Sequence, residues 1–187
     1  SVSAFLLNRS SDLEIIENSS RFVLLFARFP LTLHPEMKKW RVLFVCHGNI
    51  CRSPMAEFVM KDLVKKAGRE DEFYIESAAT STEEIGNEVY SPAKRKLAEH
   101  GIGCKGKTAR QMTRGDYDRF DLLIGMDSWN FRNMNRICGG DPEEKIHLLM
   151  DYTDEPRDVA DPWYTGNFEA TWRDVLEGCQ RLLELLK

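Results

Sequence analysis

Long hydrophobic runs are missing from this 187-residue chain. Its longest apolar stretch, 22–29, is short and broken by Arg28, whereas a bilayer-spanning helix needs about 20 apolar residues. A secretory leader fits no better. Asp12, Glu14 and Glu17 stand where positive charge belongs, and Arg28-Phe29-Pro30 stands where small residues belong. Neither membrane insertion nor export is expected. An excess of basic residues is also absent: 26 Lys and Arg face 30 Asp and Glu, for a net charge of -4. Such a chain cannot neutralise a phosphate backbone, so no general nucleic-acid affinity is expected. Cysteine is too sparse for a disulfide scaffold. Of the five, only Cys46 and Cys51 are close, and no second pair downstream completes a zinc site. His34, His47, His100 and His147 belong to no metal set either, so no metal or cofactor is expected. Cys104, Cys138 and Cys179 read as reduced thiols of a cytoplasmic protein.

What remains is an ordinary globular composition, 42% apolar and 30% charged, in a chain long enough for one domain with a real core. Residues 1–36 differ from the rest: they are Ser-rich, lack paired strand and helix signals, and end in Phe29-Pro30-Leu31-Thr32-Leu33-His34-Pro35. They read as an N-terminal extension. The competing reading is a regulatory or dimerising arm using Leu13, Ile15, Ile16 and the 22–29 run. The domain itself is expected over 37–187.

From Arg41 strands and helices alternate. Val42–Val45 is a continuous apolar run, as in a strand buried on both faces. Ser53-Pro54 predicts a helix start, with Ser53 as N-cap, and Gly68 its stop. Further strands are predicted at 73–75, 121–126 and 146–150, and further helices after Ser91-Pro92 and Asp127-Ser128. Phe168, Trp172, Val175, Cys179, Leu182 and Leu186 recur at helical spacing and predict a long last helix packed on the core. The pattern is that of a single α/β domain with a four-stranded parallel sheet flanked by helices on both faces. Ligands bind such sheets beyond the carboxyl ends of their strands.

One segment carries chemistry: Cys46-His47-Gly48-Asn49-Ile50-Cys51-Arg52-Ser53-Pro54. A strand ends at Cys46 and a helix begins near Ser53, so the five residues between Cys46 and Arg52 must curl tightly at a helix N-terminus. Backbone N–H donors and the positive helix end then surround one point, an anion site. Arg52 adds a planar fork that matches two phosphate oxygens. The same field favours the thiolate of Cys46 over the thiol. Gly48 and Asn49 suit backbone angles that bulkier residues resist. Ser53 can bond the sulfur as well as cap the helix.

This segment resembles the signature of the low-molecular-weight protein tyrosine phosphatases, Cys-x5-Arg-Ser near the domain start. Ser77-Ala78-Ala79, His100-Gly101-Ile102, Ala109-Arg110-Gln111, Met126-Asp127 and Asp161-Pro162-Trp163-Tyr164 recur in family order over about residues 40–187. The resemblance implies the phosphotyrosine protein phosphatase I-like fold. It also implies metal-independent hydrolysis of phosphotyrosine in a protein substrate, with inorganic phosphate as product or inhibitor. By it Cys46 is the nucleophile, Arg52 the phosphate clamp and Asp161 the general acid. His47, Gly48, Asn49, Ile50, Cys51 and Ser53 form the binding loop, with His47 facing outward, and Trp163 and Tyr164 sandwich the phenyl ring. Asn49, Ser53, Ser77 and His100 resemble a supporting hydrogen-bond network, and Cys51 resembles the loop cysteine that can pair with an oxidised Cys46. For His100 a second reading is a helix C-terminal histidine favoured by the dipole.

Where relatives often carry an aromatic pocket wall, this chain has Glu83-Glu84. Glu83 reads either as a charge that disfavours acidic peptides or as a solvated loop residue. Three alternatives share the signature. An arsenate reductase needs a cysteine relay that 128–136 lacks; an arginine phosphatase tends to carry a small polar residue where Ile50 stands; a silent phosphopeptide-binding module would not need nucleophile, clamp and acid together.

Overall fold

A computed structural model describes residues 39–187. The 1–36 extension and the start of the domain at residue 37 lie outside the described residues. Four parallel strands, β1 (Trp40–Cys46), β2 (Phe73–Ala79), β3 (Leu122–Gly125) and β4 (Ile146–Leu148), lie in the order β2-β1-β3-β4. Between and after them run α1 (Arg52–Lys66), α2 (Ser91–Glu99), α3 (Arg114–Arg119), α4 (Ser128–Cys138), α5 (Pro162–Thr165) and α6 (Phe168–Leu185). β1 pairs with β2 from Trp40↔Phe73 to Cys46↔Ala79, and with β3 from Val42↔Leu122 to Val45↔Gly125.

Side chains alternate across a strand, and β1 divides its apolar residues accordingly. Val42, Phe44 and Cys46 join a core with Met55, Met60, Leu97, Val175 and Leu182 from α1, α2 and α6. Leu43 and Val45 join a second core with Phe120, Leu123 and Met134 on the other face. Helices therefore cover both faces of the sheet, as the run of consecutive apolar residues in β1 requires. Each of the large side chains buried here contributes about 1.5–3 kcal/mol. In α6, Gly178 lets the helix lie against Leu149: a Cβ there would meet Leu149 Cγ at 2.5 Å.

Several element ends differ from the sequence reading. α1 begins at Arg52 with Cys51 as its cap residue and no side-chain cap. Ser53 is thus inside the first turn, because its hydroxyl is taken up by Cys46 and Asn49 instead. β2 runs on from the predicted 73–75 through Glu76-Ser77-Ala78-Ala79, held by β1 along its whole length. The predicted strand 146–150 stops at Leu148 and turns into a 3-10 segment, Leu149–Tyr152. α3 and α5, of 6 and 4 residues, are too short for a periodic signal. No helix among the described residues is long and apolar enough to cross a membrane.

The entry to β4 rests on one carboxylate. Asp141 accepts from the Tyr117 hydroxyl (2.8 Å), Lys145 N–H (2.8 Å) and Ile146 N–H (3.0 Å). Partial burial works to raise its pKa, but these donors prevail and hold it below the ordinary 3.8. A carboxylate depressed in the folded state stabilises above its unfolded pKa, and that contribution is lost as pH falls through the folded value. Asp141→Ala is expected to cost about 1–3 kcal/mol at pH 7, the price of three donors without an acceptor. Urea melts should show the gap between variant and parent closing as pH drops below the ordinary carboxylate range.

Candidate active site

β1 ends at the carboxyl edge of the sheet with Cys46, and the chain turns through 47–51 into α1. Asn49 makes the turn possible: its φ is 57°, in the left-handed region where asparagine is among the few tolerated residues. Gly48 is not in that region. It is favoured by proximity, since a Cβ would lie 3.1 Å from Glu84 Cγ and push that side chain aside. The carbonyls of Cys46, His47 and Ile50 accept from the N–H groups of Thr80, Ser81 and Tyr90, so the loop is pinned from outside. By contrast, no protein group among the described residues accepts from the N–H groups of Gly48, Ile50 and Cys51. Together with the N-terminus of the 15-residue α1, these donors suit an anion.

The Cys46 sulfur lies 3.0 Å from Ser53 Oγ and accepts from Asn49 N–H at 3.3 Å. Asn49 is fully buried, and its amide reaches three partners. Nδ2 donates to Ser53 Oγ (2.9 Å) and Ser77 Oγ (2.8 Å), while Oδ1 accepts from Arg110 N–H (3.2 Å). The other cysteines are different. Burial, reinforced by the charges of Cys46 and Asp161, pushes the Cys51 thiol up to about 12. Burial also raises Cys104, Cys138 and Cys179. All four are held as thiols.

Arg52 is 3% exposed and held by two carboxylates, NH1 to Asp127 Oδ2 and NH2 to Asp161 Oδ2, each at 2.5 Å. Burial alone would lower its pKa, but the charges of Cys46 and Asp161 and the bond to Asp127 outweigh burial and raise it. The guanidinium stays charged. Asp161 caps α5 by accepting from Trp163 N–H at 3.0 Å, which fixes its position beside the aromatic pair. A cleft of about 150 Å³ is lined by Cys46, Arg52 and Asp161 below and by Trp163 and Tyr164 at its rim. It can hold an anion on the loop and a flat ring between aromatic side chains.

The family profile described as "Low molecular weight phosphotyrosine protein phosphatase" matches residues 41–187. The low molecular weight protein-tyrosine-phosphatase YfkJ of Bacillus subtilis is 41% identical over 144 residues, covering 76% of this chain and 92% of the relative. The chain belongs to the low-molecular-weight phosphotyrosine protein phosphatase family. The rat low molecular weight phosphotyrosine protein phosphatase is 40% identical over 154 residues, 80% of this chain and 97% of its own. The crystal structure of YfkJ superposes with a TM-score of 0.76 over 79% of this chain and 94% of that one. A Drosophila arginine phosphatase, DARP, superposes with a TM-score of 0.71 at 32% identity, over 78% of this chain and 97% of its own.

In this phosphatase-family chain the fold gathers most of the residues singled out from sequence. His47, Gly48, Ile50 and Cys51 line the same cleft as Cys46, Arg52 and Asp161, and Asn49, Ser53 and Ser77 form one buried hydrogen-bonded string. His47 faces outward and meets Glu83 at 3.0 Å, so Glu83 and Glu84 do stand at the cleft mouth. His100 is the exception. It caps the C-terminus of α2 and stacks on Trp172, with ring centroids 3.8 Å apart, and shares no hydrogen bond with Asn49, Ser53 or Ser77 among the described residues. From the segment after α2 it is Lys107, not His100, that reaches Ser77, donating to its carbonyl at 3.0 Å and pairing with Glu57 at 2.9 Å.

Four participants escaped the sequence reading. Asp127 was read as a helix entry and as part of the Met126-Asp127 pair in the family resemblance, with no role at the site, yet one oxygen caps α4 through Asn130 N–H and the other holds Arg52. Tyr90 braces Trp163, centroids 5.2 Å apart. Glu57 and Lys107 are a buried ion pair behind the loop. Glu57 did leave a trace, an acidic residue directly beside Ala56 on the buried side of α1.

Proposed function

We propose that this chain hydrolyses phosphotyrosine monoesters in protein substrates through a phosphocysteine on Cys46. The observation that carries the reading is the convergence of the Cys46 sulfur, the Arg52 guanidinium and the Asp161 carboxyl on one cleft with an aromatic rim. In the first step the thiolate attacks phosphorus in line and the phenolate leaves. The equatorial oxygens bind Arg52 and the loop N–H groups, which supply the charge stabilisation that phosphoryl transfer demands. As the phosphate takes the Arg52 fork it displaces Asp161, while Asp127 keeps the guanidinium oriented. The released Asp161 carboxylate takes up a proton from solvent beside the bound phosphate and gives it to the phenolate, then draws a proton from the water that cleaves the phosphocysteine. Inorganic phosphate is the second product. Asn49, Ser53 and Ser77 hold the loop, and Trp163 and Tyr164 flank the ring.

A nucleophile that works only as a free thiolate fits a reducing compartment, and we place the protein in the cytoplasm. Cys51 supports reversible protection of an oxidised Cys46. We further propose that 37–187 is the catalytic unit, since the family match falls within it and 76–80% of this chain matches 92–97% of the length of its relatives.

The test is a phosphopeptide panel run on the full chain and on the chain begun at Met37. Phosphotyrosine is expected to be the preferred ester, with phosphoserine barely turned over. Phosphoarginine belongs in the panel because of the Drosophila neighbour; Ile50 in the cleft wall, only 9% exposed, favours the flat ring. The two chain lengths should agree in kcat/KM within about two-fold, the spread expected of a change remote from the site. Phosphoarginine turned over faster than phosphotyrosine would replace the substrate class, and a large effect of the truncation would make residues 1–36 a regulatory arm.

A further inference from the structure

Behind the loop, a carboxylate closes a string of hydrogen bonds that ends on the sulfur. Glu57, on α1, is buried and ionically paired. Its Oε2 accepts from Ser77 Oγ at 2.6 Å and from Lys107 Nζ at 2.9 Å, and its Oε1 accepts from Lys61 Nζ at 2.5 Å. Lys107 is nearly buried itself and also donates to the Ser77 carbonyl.

The direction of each bond in this string follows from what its members can donate. An ionised carboxylate only accepts, so the Ser77 hydroxyl must spend its hydrogen on Glu57. Ser77 Oγ is then free only as an acceptor toward Asn49, which fixes the amide with Nδ2 toward both serines. Arg110 N–H, donating to Oδ1, enforces the same orientation from the other side. Ser53 Oγ therefore accepts from Asn49 and has its own hydrogen left. The Cys46 sulfur at 3.0 Å is the near partner; the Ala78 carbonyl at 3.4 Å is the distant one.

Taking Cys46 as the nucleophile proposed above, we infer that Glu57, paired with Lys107, is a positioning residue that sets the polarity of the string so that Ser53 donates to the sulfur. Glu57 touches neither the cleft nor the sulfur. It acts through Ser77, Asn49 and Ser53, which points one more hydrogen at the sulfur's negative charge. Without an acceptor at position 57, the Ser77 hydrogen can turn toward Asn49. That hydrogen then competes with Arg110 N–H for the amide oxygen, and an amide that turns Oδ1 to the serines takes the Ser53 hydrogen too, leaving the thiolate with one donor fewer.

The test reads thiolate availability without any substrate, by the rate of iodoacetamide alkylation of Cys46 against pH, with the modified residue identified by peptide mass. Two variants are used. Glu57→Met with Lys107→Met removes acceptor and cation together, so no unpaired charge is buried and the fold is kept. Glu57→Gln keeps one oxygen that can still accept from Ser77. At pH 6 the double variant should be alkylated about ten-fold more slowly than the parent, the loss of about one charge-assisted bond. Glu57→Gln should lose about two- to five-fold, the milder change expected when a weaker neutral acceptor remains. At pH 10, where hydroxide rather than the site removes the thiol proton, all three rates should coincide.

A parent-like pH profile in the variants overturns the inference. An equal slowing at both pH values also overturns it, because that marks mere loosening of the fold. If the double variant does not fold, Glu57→Gln decides alone on the same criteria. Because turnover plays no part in the measurement, failure here leaves the phosphatase reading standing, and the loss of that reading would show instead in the Cys46→Ser experiment.

Discussion

Cys46→Ser is expected to lower kcat/KM for an aryl phosphate by about 10⁴-fold or more, because accelerations of about 10⁶-fold and above depend on the covalent route. A serine hydroxyl at the same place stays protonated and has no adjacent base to activate it. Phosphate binding should persist. The anion contacts come from Arg52, which is held by Asp127, and from the N-terminal end of α1, and none of these needs the sulfur. Phosphate titration followed by calorimetry, beside steady-state kinetics, separates the two effects. A serine variant that still turns over at a tenth of the parental rate would remove Cys46 from the bond-making role. A variant that lost phosphate affinity as well would show the loop collapsing without its sulfur.

The second large effect belongs to Asp161→Asn. Loss of proton donation should reduce kcat by about 10²–10⁴-fold on phenyl phosphate. The loss should shrink steeply for a nitrophenyl ester, whose leaving group departs without help. Equal loss across leaving groups would take the acid role away from Asp161. The arrangement adds a second signature. Asp161 Oδ2 sits 2.5 Å from Arg52 NH2, where phosphate would bind. Neutralising it removes a competitor for the fork, so inhibition by inorganic phosphate should become tighter as catalysis fails. The amide can still cap α5 through its oxygen, so the rim should survive the change.

The parts of this site that could be read from sequence are those whose partners are close along the chain. Cys46 to Arg52 spans one strand end and one helix start, and the apolar run of β1, the Ser53-Pro54 pair and the intervening Gly48 and Asn49 all speak to the same turn. The parallel α/β pattern and the burial of β1 on both faces were legible for the same reason. What was not legible depends on register. Ser77 was named only through the family resemblance; it meets the loop because Phe44 pairs with Ser77 across β1 and β2, and Glu57, which was not named, meets Ser77 only once α1 is laid on that pair. His100 illustrates the converse. A histidine closing a helix looks like a network member in one dimension, but the chain runs on from α2 and brings Lys107, seven positions later, to the carbonyl of Ser77. Ser53 was half legible: Ser-Pro marked the helix start within one residue and the bond to the sulfur was expected, but its hydroxyl does not cap the helix. Asp127 did two things with two oxygens, and local rules reveal only the cap.

Arg52 and Asp161 have one more consequence, for the end of the catalytic cycle. In the cycle proposed above, once water has freed orthophosphate, the carboxylate that began on the guanidinium stands at contact distance to reclaim it. A tethered competitor of this kind acts at an effective concentration that a dissolved ion seldom matches. The enzyme thus carries its own eluent, and residual anion in the surrounding medium need not stall the next round.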